Sequence, residues 1–331
     1  MSGQITILGA GVAGLCMATE LVARGYDVRL IDPKGGPGAH GCSWWAGGML
    51  APDCEGAVAE EPVVRHGRKA AEWWTANGAE ITYGGSLVVA LGRDRQELDR
   101  FARRTDRFDW ITRDRLAEFE PDLADRFDRA LFMTGESHLN PRPVLLTLRE
   151  RLKSNGVQVE TTGTPTGQVI DCRGLSAADR LSDLRGVKGE MVILRAPDIT
   201  LSRPVRLLHP RFPLYIVPRG DGVFMLGATQ IESGQRTRAT VRSVMELLNA
   251  AYALHPAFGE AEIMEIGVDA RPAFPDNLPR IGRYADGTLY ANGLFRHGYL
   301  LAPALARMMG DHLDADGNPR EKPEFWHENH N

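Results

Sequence analysis

The chain has 331 residues, 43% hydrophobic and 25% charged, enough to bury a large core and to divide into two domains. Its 39 basic and 43 acidic residues leave a formal charge of -4, which excludes a broad electrostatic footprint for nucleic acid or an anionic membrane. Cys16, Cys42, Cys54 and Cys172 form no Cys-x-x-Cys pair and no zinc-finger spacing with histidine. Free thiols in a reducing cytoplasm, and no metal, are therefore expected. No signal-type N-terminus and no run of about 18 apolar residues occurs, so neither export nor a membrane anchor is expected.

Ile5, Thr6, Ile7 and Leu8 read as a buried β-branched strand. Gly9-Ala10-Gly11-Val12-Ala13-Gly14 follows at once and leads into a helical pattern through Leu15, Ala18, Leu21 and Val22 that stops at Gly25. A second strand over 26–31, with Val28 and Leu30 on one face, runs through Ile31 to Asp32, 18 residues after Gly14. Gly9 permits the tight turn, Gly11 lets backbone approach a pyrophosphate, and Gly14 lets helix and strand pack closely. The helix N-terminus favours phosphate charge, and the Asp32 carboxylate accepts from ribose hydroxyls. A glycine-rich turn without ligand is the simpler alternative, but strand, helix, stop and acid fall in register.

The turn alone fits NAD or FAD. The segment from His40 to Pro52 departs from the crossover helix of an NAD-binding half: Ala46, Gly47, Gly48 and Met49 suit backbone donation to a flat ring, and Ser43 can reach a phosphate or ribitol oxygen. Here too a surface loop beside a pair of core tryptophans is the plainer alternative. Residues 102–128 are charge-rich and read as a solvated helix face. Strands are predicted over 157–159, 169–173, 189–195, 215–217 and 223–226, the last two joined by Arg219-Gly220-Asp221-Gly222 as a hairpin. Pro303, followed by Ala304, Leu305, Ala306 and Met308, marks a helix start. The tail 322–331, with two histidines and two glutamates, reads as a frayed polar end rather than a metal site.

Gly-x-Gly-x-x-Gly ending in an acid, then Ser43-x-x-Ala46-Gly47-Gly48-Met49-Leu50-Ala51-Pro52, resembles the N-terminal region of glycine oxidases in the D-amino-acid oxidase and sarcosine oxidase superfamily. Residues 267–282, with Ala270-Arg271-Pro272 and Pro279-Arg280-Ile281-Gly282, are similar to the family's Arg-Pro segment and the turn after it. Gly293-Leu294-Phe295-Arg296-His297-Gly298-Tyr299-Leu300-Leu301-Ala302-Pro303 resembles its last flavin loop, and Tyr215-Ile216-Val217-Pro218-Arg219 with Gly227-Ala228-Thr229 supplies a middle block. Between Gly156 and Gly174 the chain is shorter than the family's usual hairpin, so a flavin contact there is assigned to no residue.

The resemblance implies an α/β architecture: a discontinuous Rossmann-type FAD-binding domain over 1–75, 140–186 and 265–331, and an antiparallel-sheet α+β substrate domain over 76–139 and 187–264. It implies non-covalent FAD held by Gly9, Gly11, Val12, Ala13, Gly14, Ile31, Asp32, Ser43, Ala46, Gly47, Gly48, Met49, His297, Gly298, Tyr299, Leu300 and Leu301. It places Arg271, Arg296 and Tyr215 on the substrate. An arginine fork binds both carboxylate oxygens, which a lysine point charge does not. The plainer readings are a domain-bridging arginine for Arg271 and an exposed loop charge for Arg296. Hydride transfer from a neutral amine requires no side-chain base, so no catalytic residue is assigned and His297 is given a structural or tuning role.

The expected activity is oxidation of glycine and similar small amino acids with O2, in thiamine thiazole synthesis. Alternatives are oxidation of N-substituted glycines, free or on a tRNA base, a D-amino-acid or NAD-dependent dehydrogenase, and a flavin-binding protein without catalysis. No nucleic-acid or membrane partner is expected, and a homo-oligomer is left open.

Overall fold

The computed structural model describes residues 3–209, 213–315 and 322–328. The β-branched opening run forms the strand Gln4–Leu8, buried along Ile5, Thr6 and Ile7, in the interior of a seven-stranded sheet. It pairs in parallel with Asp27–Ile31 on one side and Gln168–Asp171 on the other. Leu289–Asn292 continues the parallel run beyond Gln168–Asp171. The helix Val12–Ala23 packs against the long helix Gly298–Asp314, and both bury apolar faces in the largest core cluster. Gly25 follows at φ 84, a left-handed conformation in which a side chain is disfavoured, and the chain turns into the second strand there.

A nine-stranded, mainly antiparallel sheet forms the second layer. Arg185–Arg195, Val223–Gly227, Leu214–Pro218, Val205–Leu208 and Ser86–Ala90 lie side by side in that order. The hairpin over 219–222 is present, with Gly220, Asp221 and Gly222 all at positive φ. Glu262–Ala273 pairs along the full length of Arg185–Arg195, so residue 265, expected to begin a cofactor-domain segment, lies inside a strand of this sheet. The architecture is thus the expected one of a Rossmann-type sheet joined to an antiparallel sheet.

Three local expectations are corrected. Residues 102–128 are not helical throughout: Phe108–Thr112 is a strand paired with Arg129–Met133, because its aromatic and β-branched residues favour extended backbone, and Ile111 alone of the five is buried. Pro303 does not begin a helix, which starts at Gly298. Proline lacks the N–H that would bond the Tyr299 carbonyl four residues back. Trp74 Nε1 donates to that oxygen instead, at 2.8 Å. The tail is also not frayed through 322–328: Trp326–Glu328 adds an edge strand to the seven-stranded sheet, and the Trp326 ring lies 4.4 Å from that of His312. Residues 329–331 lie outside the described residues.

A small sheet of Met49–Leu50, Ser137–His138 and Thr82–Tyr83 bridges the layers. Glu136 beside it is only 2% exposed and accepts from Cys54 N at 2.7 Å and from the Ser86 hydroxyl. Burial pushes its carboxyl from 4.5 up to about 7 despite these bonds. A carboxyl raised on folding contributes stability that is complete below the unfolded value and is lost as pH rises through 7. Glu136→Gln, neutral at every pH, should therefore unfold with the parent at pH 5 and several degrees above it at pH 9, where the ionised carboxyl costs about 3 kcal/mol. A Tm difference that is the same at both pH values would refute this account.

Candidate active site

The two sheets enclose a cavity of about 590 Å³. At one end the turn after the first strand lines it through Gly9, Gly11, Val12 and Ala13. Gly9 has φ 95, and a β-carbon there would lie 2.7 Å from the Cys172 carbonyl oxygen. At Gly14 a β-carbon would sit 1.8 Å from the Gly9 carbonyl oxygen, so only glycine lets the helix start this close to the strand. Gly14 acts through this packing and does not line the cavity. Asp32, beside Ile31 at the end of the second strand, accepts from Ala10 N and Lys34 N, both at 2.8 Å, which fixes its carboxylate at the cavity edge. Ser43 Oγ accepts from Val12 N at 3.1 Å and so joins the two glycine-rich segments.

The flat-ring end is built around residues 46–49. Arg219 donates to the carbonyls of Gly47 at 2.8 Å, Ala46 at 3.3 Å and Leu139 at 3.0 Å. No carboxylate among the described residues pairs with it, and burial lowers its pKa to about 10. In the sequence Arg219 stands out only as the start of the hairpin turn; the signal for its part in the site is a charge directly after an apolar strand. Gly48, at φ 69, brings the loop within 2.2 Å of Leu139 O at the position of a β-carbon. The Tyr215 ring sits between Gly47 and Gly227, each of which would place a β-carbon within 2.8 Å of it.

Opposite this loop, the first turn of Gly298–Asp314 faces the cavity through Gly298, Tyr299 and Leu300. Leu301, expected beside them, turns into the core and is 0% exposed. Tyr299 donates to Ser43 O at 2.9 Å. His297 caps the helix: its carbonyl accepts from Leu300 N and Leu301 N, while buried Nδ1 has no partner among the described residues.

Arg271 lies on Glu262–Ala273 opposite Val187, and its guanidinium crosses Gly189, where a β-carbon would stand 2.3 Å from Nη2. Nη1 donates to Thr229 O at 3.0 Å. Buried Glu190 holds Thr229 in turn, through its N–H at 2.9 Å and its Oε2 at 3.2 Å. Among the described residues no carboxylate pairs with Arg271. Arg296 differs: Nη2 lies 2.5 Å from Glu55 Oε2, so it is neither an exposed loop charge nor an unpaired cation. His297 Nε2 donates to the same oxygen at 3.0 Å, and Arg206 reaches Glu55 Oε1 at 3.1 Å. Burial pushes the Glu55 carboxyl up, but Arg296, His297 and Arg206 together hold it well below the usual carboxylate range.

Glu55 and Arg206 both line the cavity and were missed in the sequence. The available signals were a carboxylate six residues beyond Met49 and an arginine inside the apolar run Val205-Arg206-Leu207-Leu208. A β-carbon at Gly11 would be 3.3 Å from Ser43 Oγ and would project into the turn. Gly11→Val should therefore purify folded but colourless, and a yellow variant with the parent's absorbance spectrum would sink this assignment.

The sequence model of the FAD dependent oxidoreductase family matches residues 4–312. A Rhizobium etli protein named for thiamine biosynthesis, ThiO, is 52% identical over 309 residues, covering 92% of this chain and 94% of that protein. A glycine oxidase of Geobacillus kaustophilus is 26% identical over 351 residues, covering 93% and 92% of the two chains. The crystal structure of glycine oxidase from the same species superposes with a TM-score of 0.79 at 23% identity, covering 98% of this chain and 97% of that one. The nucleotide turn, the small-residue loop and the orphaned His297 Nδ1 fit a flavin dinucleotide, and the NAD alternative falls with the family match. The chain belongs to the FAD dependent oxidoreductase family typified by D-amino-acid oxidase, and FAD is its cofactor.

Proposed function

We propose that the enzyme oxidises glycine and similar small primary or secondary amino acids, using O2, in the supply of an imine for thiamine thiazole synthesis. The observation that carries this reading is Arg271: a planar cation without a carboxylate partner among the described residues, laid over a glycine on the cavity wall and held there by Thr229. Such a fork fixes a substrate carboxylate in two places at once, which sets the direction in which Cα points. Tyr215, between Gly47 and Gly227, forms the wall beside it. FAD held by the glycine turn and the 46–49 loop would supply the two-electron oxidation at Cα, with O2 as the final acceptor, so the products would be the imine and H2O2, and water would convert released imine to the oxo acid and ammonia. The relatives named for glycine oxidation and thiamine biosynthesis support this choice within the family. No helix among the described residues is long and apolar enough to cross a membrane.

Non-covalent attachment is part of the same proposal. Cys42 and Cys172 line the cavity, but burial pushes both thiols up, Cys42 to about 11, which suppresses the nucleophilic thiolate. Acid precipitation should leave a white pellet and a yellow supernatant; colour retained in the pellet would contradict it. Arg271→Ala should raise KM for glycine at least ~100-fold, since removing one partner of a buried charged pair costs about 3 kcal/mol or more. Arg271→Lys should fall between, with flavin content unchanged in both. A small amine without a carboxylate should lose far less kcat/KM. Equal losses for glycine and that amine would make Arg271 structural.

A further inference from the structure

We infer that the cavity holds a second anion subsite, built by Arg206 and Arg296 on Glu55, and that the substrate it favours is an amino acid with a second carboxylate, on the side chain or on the amine nitrogen. The inference rests on the reading of Arg271 as the α-carboxylate anchor. Arg206 pairs directly with Tyr215 across neighbouring strands, so the two side chains share one face of the sheet. That face is the cavity wall, because Tyr215 lies against Gly47 and Gly227 and both Arg206 and Tyr215 line the cavity. Arg271 extends over Gly189 of Arg185–Arg195 at the other end of the same wall. Along the wall the order is therefore Arg271, then Tyr215, then Arg206.

The charges on this wall do not balance. Three guanidiniums, of Arg206, Arg271 and Arg296, face one carboxylate, Glu55. Asp269 is taken by Arg236 at 2.5 Å. Glu136, the next carboxyl near Arg206, is pushed up to about 7 and supplies only part of a charge. A monocarboxylate with a neutral amine compensates one guanidinium and leaves another cation in a site partly shielded from water, which is costly. A second carboxylate removes that excess. Neither arginine is sealed off, since the Arg206 and Arg296 side chains keep 17% and 22% exposure beside a Glu55 that keeps 10%.

The span sets the length of the substrate. Arg206 stands level with Met191, two residues from Gly189, so three strand spacings of about 4.8 Å and about 7 Å along the strand put its Cα about 16 Å from the Arg271 guanidinium. A carboxylate held bidentate at each end takes up about 4 Å, which leaves about 8 Å between the two carboxylate carbons, less the reach of the Arg206 side chain towards Arg271. A spacer of two or three atoms fits, as in an acidic side chain or an N-carboxymethyl group.

The test is a flavin absorbance titration of the holoenzyme with two unreactive ethers, diglycolate and its monoacid counterpart methoxyacetate. Diglycolate should bind with a Kd at least ~10-fold lower, Arg206→Met should bring the two within ~3-fold of each other, and Arg206→Lys should retain part of the difference. Equal affinities in the wild type would overturn the second subsite and leave the monocarboxylate reading standing. A preference that survives in Arg206→Met would overturn the assignment to Arg206. If neither ether perturbs the flavin, the carboxylate-binding reading of the cavity falls first, and this inference with it. Should Arg206→Met fail to bind FAD, the wild-type pair and Arg206→Lys still decide the outcome.

Discussion

Glu55 is the anion on which the site depends. It ends the short helix Pro52–Glu55, directly beyond the small-residue loop, and draws together Arg206 from the antiparallel sheet and Arg296 with His297 from the turn before the last helix. Three separately encoded pieces of chain meet at two carboxylate oxygens. A buried carboxylate without partners would cost several kcal/mol, and so would either arginine, so each partner stabilises the placement of the others. The contact also fixes where the nucleotide-binding layer and the sheet wall stand relative to each other, and hence the width of the cavity between them.

The two cavity arginines named in the sequence differ in just this respect. Arg296 is held by Glu55, whereas Arg271 is held through a backbone carbonyl, with its charge left uncompensated by any described carboxylate. An arginine anchored by a neutral acceptor keeps its full attraction for a ligand anion. One locked to a carboxylate gives up part of its charge to it, and Arg206 and Arg296 together leave one positive charge in excess over Glu55. Arg219 shows a third arrangement: its donors are spent on three carbonyls, so it orders the loop that it touches.

What could be read from the sequence was local and periodic. The first strand, the glycine turn, its helix and Asp32 were legible because each occupies a position where sterics allow few residue types, as the contact of Gly14 with Gly9 O shows. The hairpin over 219–222 was legible for the same reason. Glu55 and Arg206 were not, since their meaning comes from a pairing across 151 residues that no spacing rule encodes. The start of the last helix was misplaced because proline at a first turn is the commoner pattern, and the indole that satisfies the Tyr299 carbonyl lies 225 residues away. The strand Phe108–Thr112 was hidden by its charged neighbours, as edge strands often are.

That indole bond has an evolutionary consequence. Proline at 303 and tryptophan at 74 form one unit of inheritance: with the proline in place, losing the tryptophan strands a buried carbonyl, and restoring an ordinary residue at 303 makes the indole N–H redundant at best. Each position is thus neutral to change only in the other's company. The Trp74 ring also lies 5.5 Å from the Tyr299 ring, whose hydroxyl reaches Ser43 in the nucleotide-binding segment. A drift at residue 74 would therefore be felt, through two contacts, at the phosphate end of the cavity.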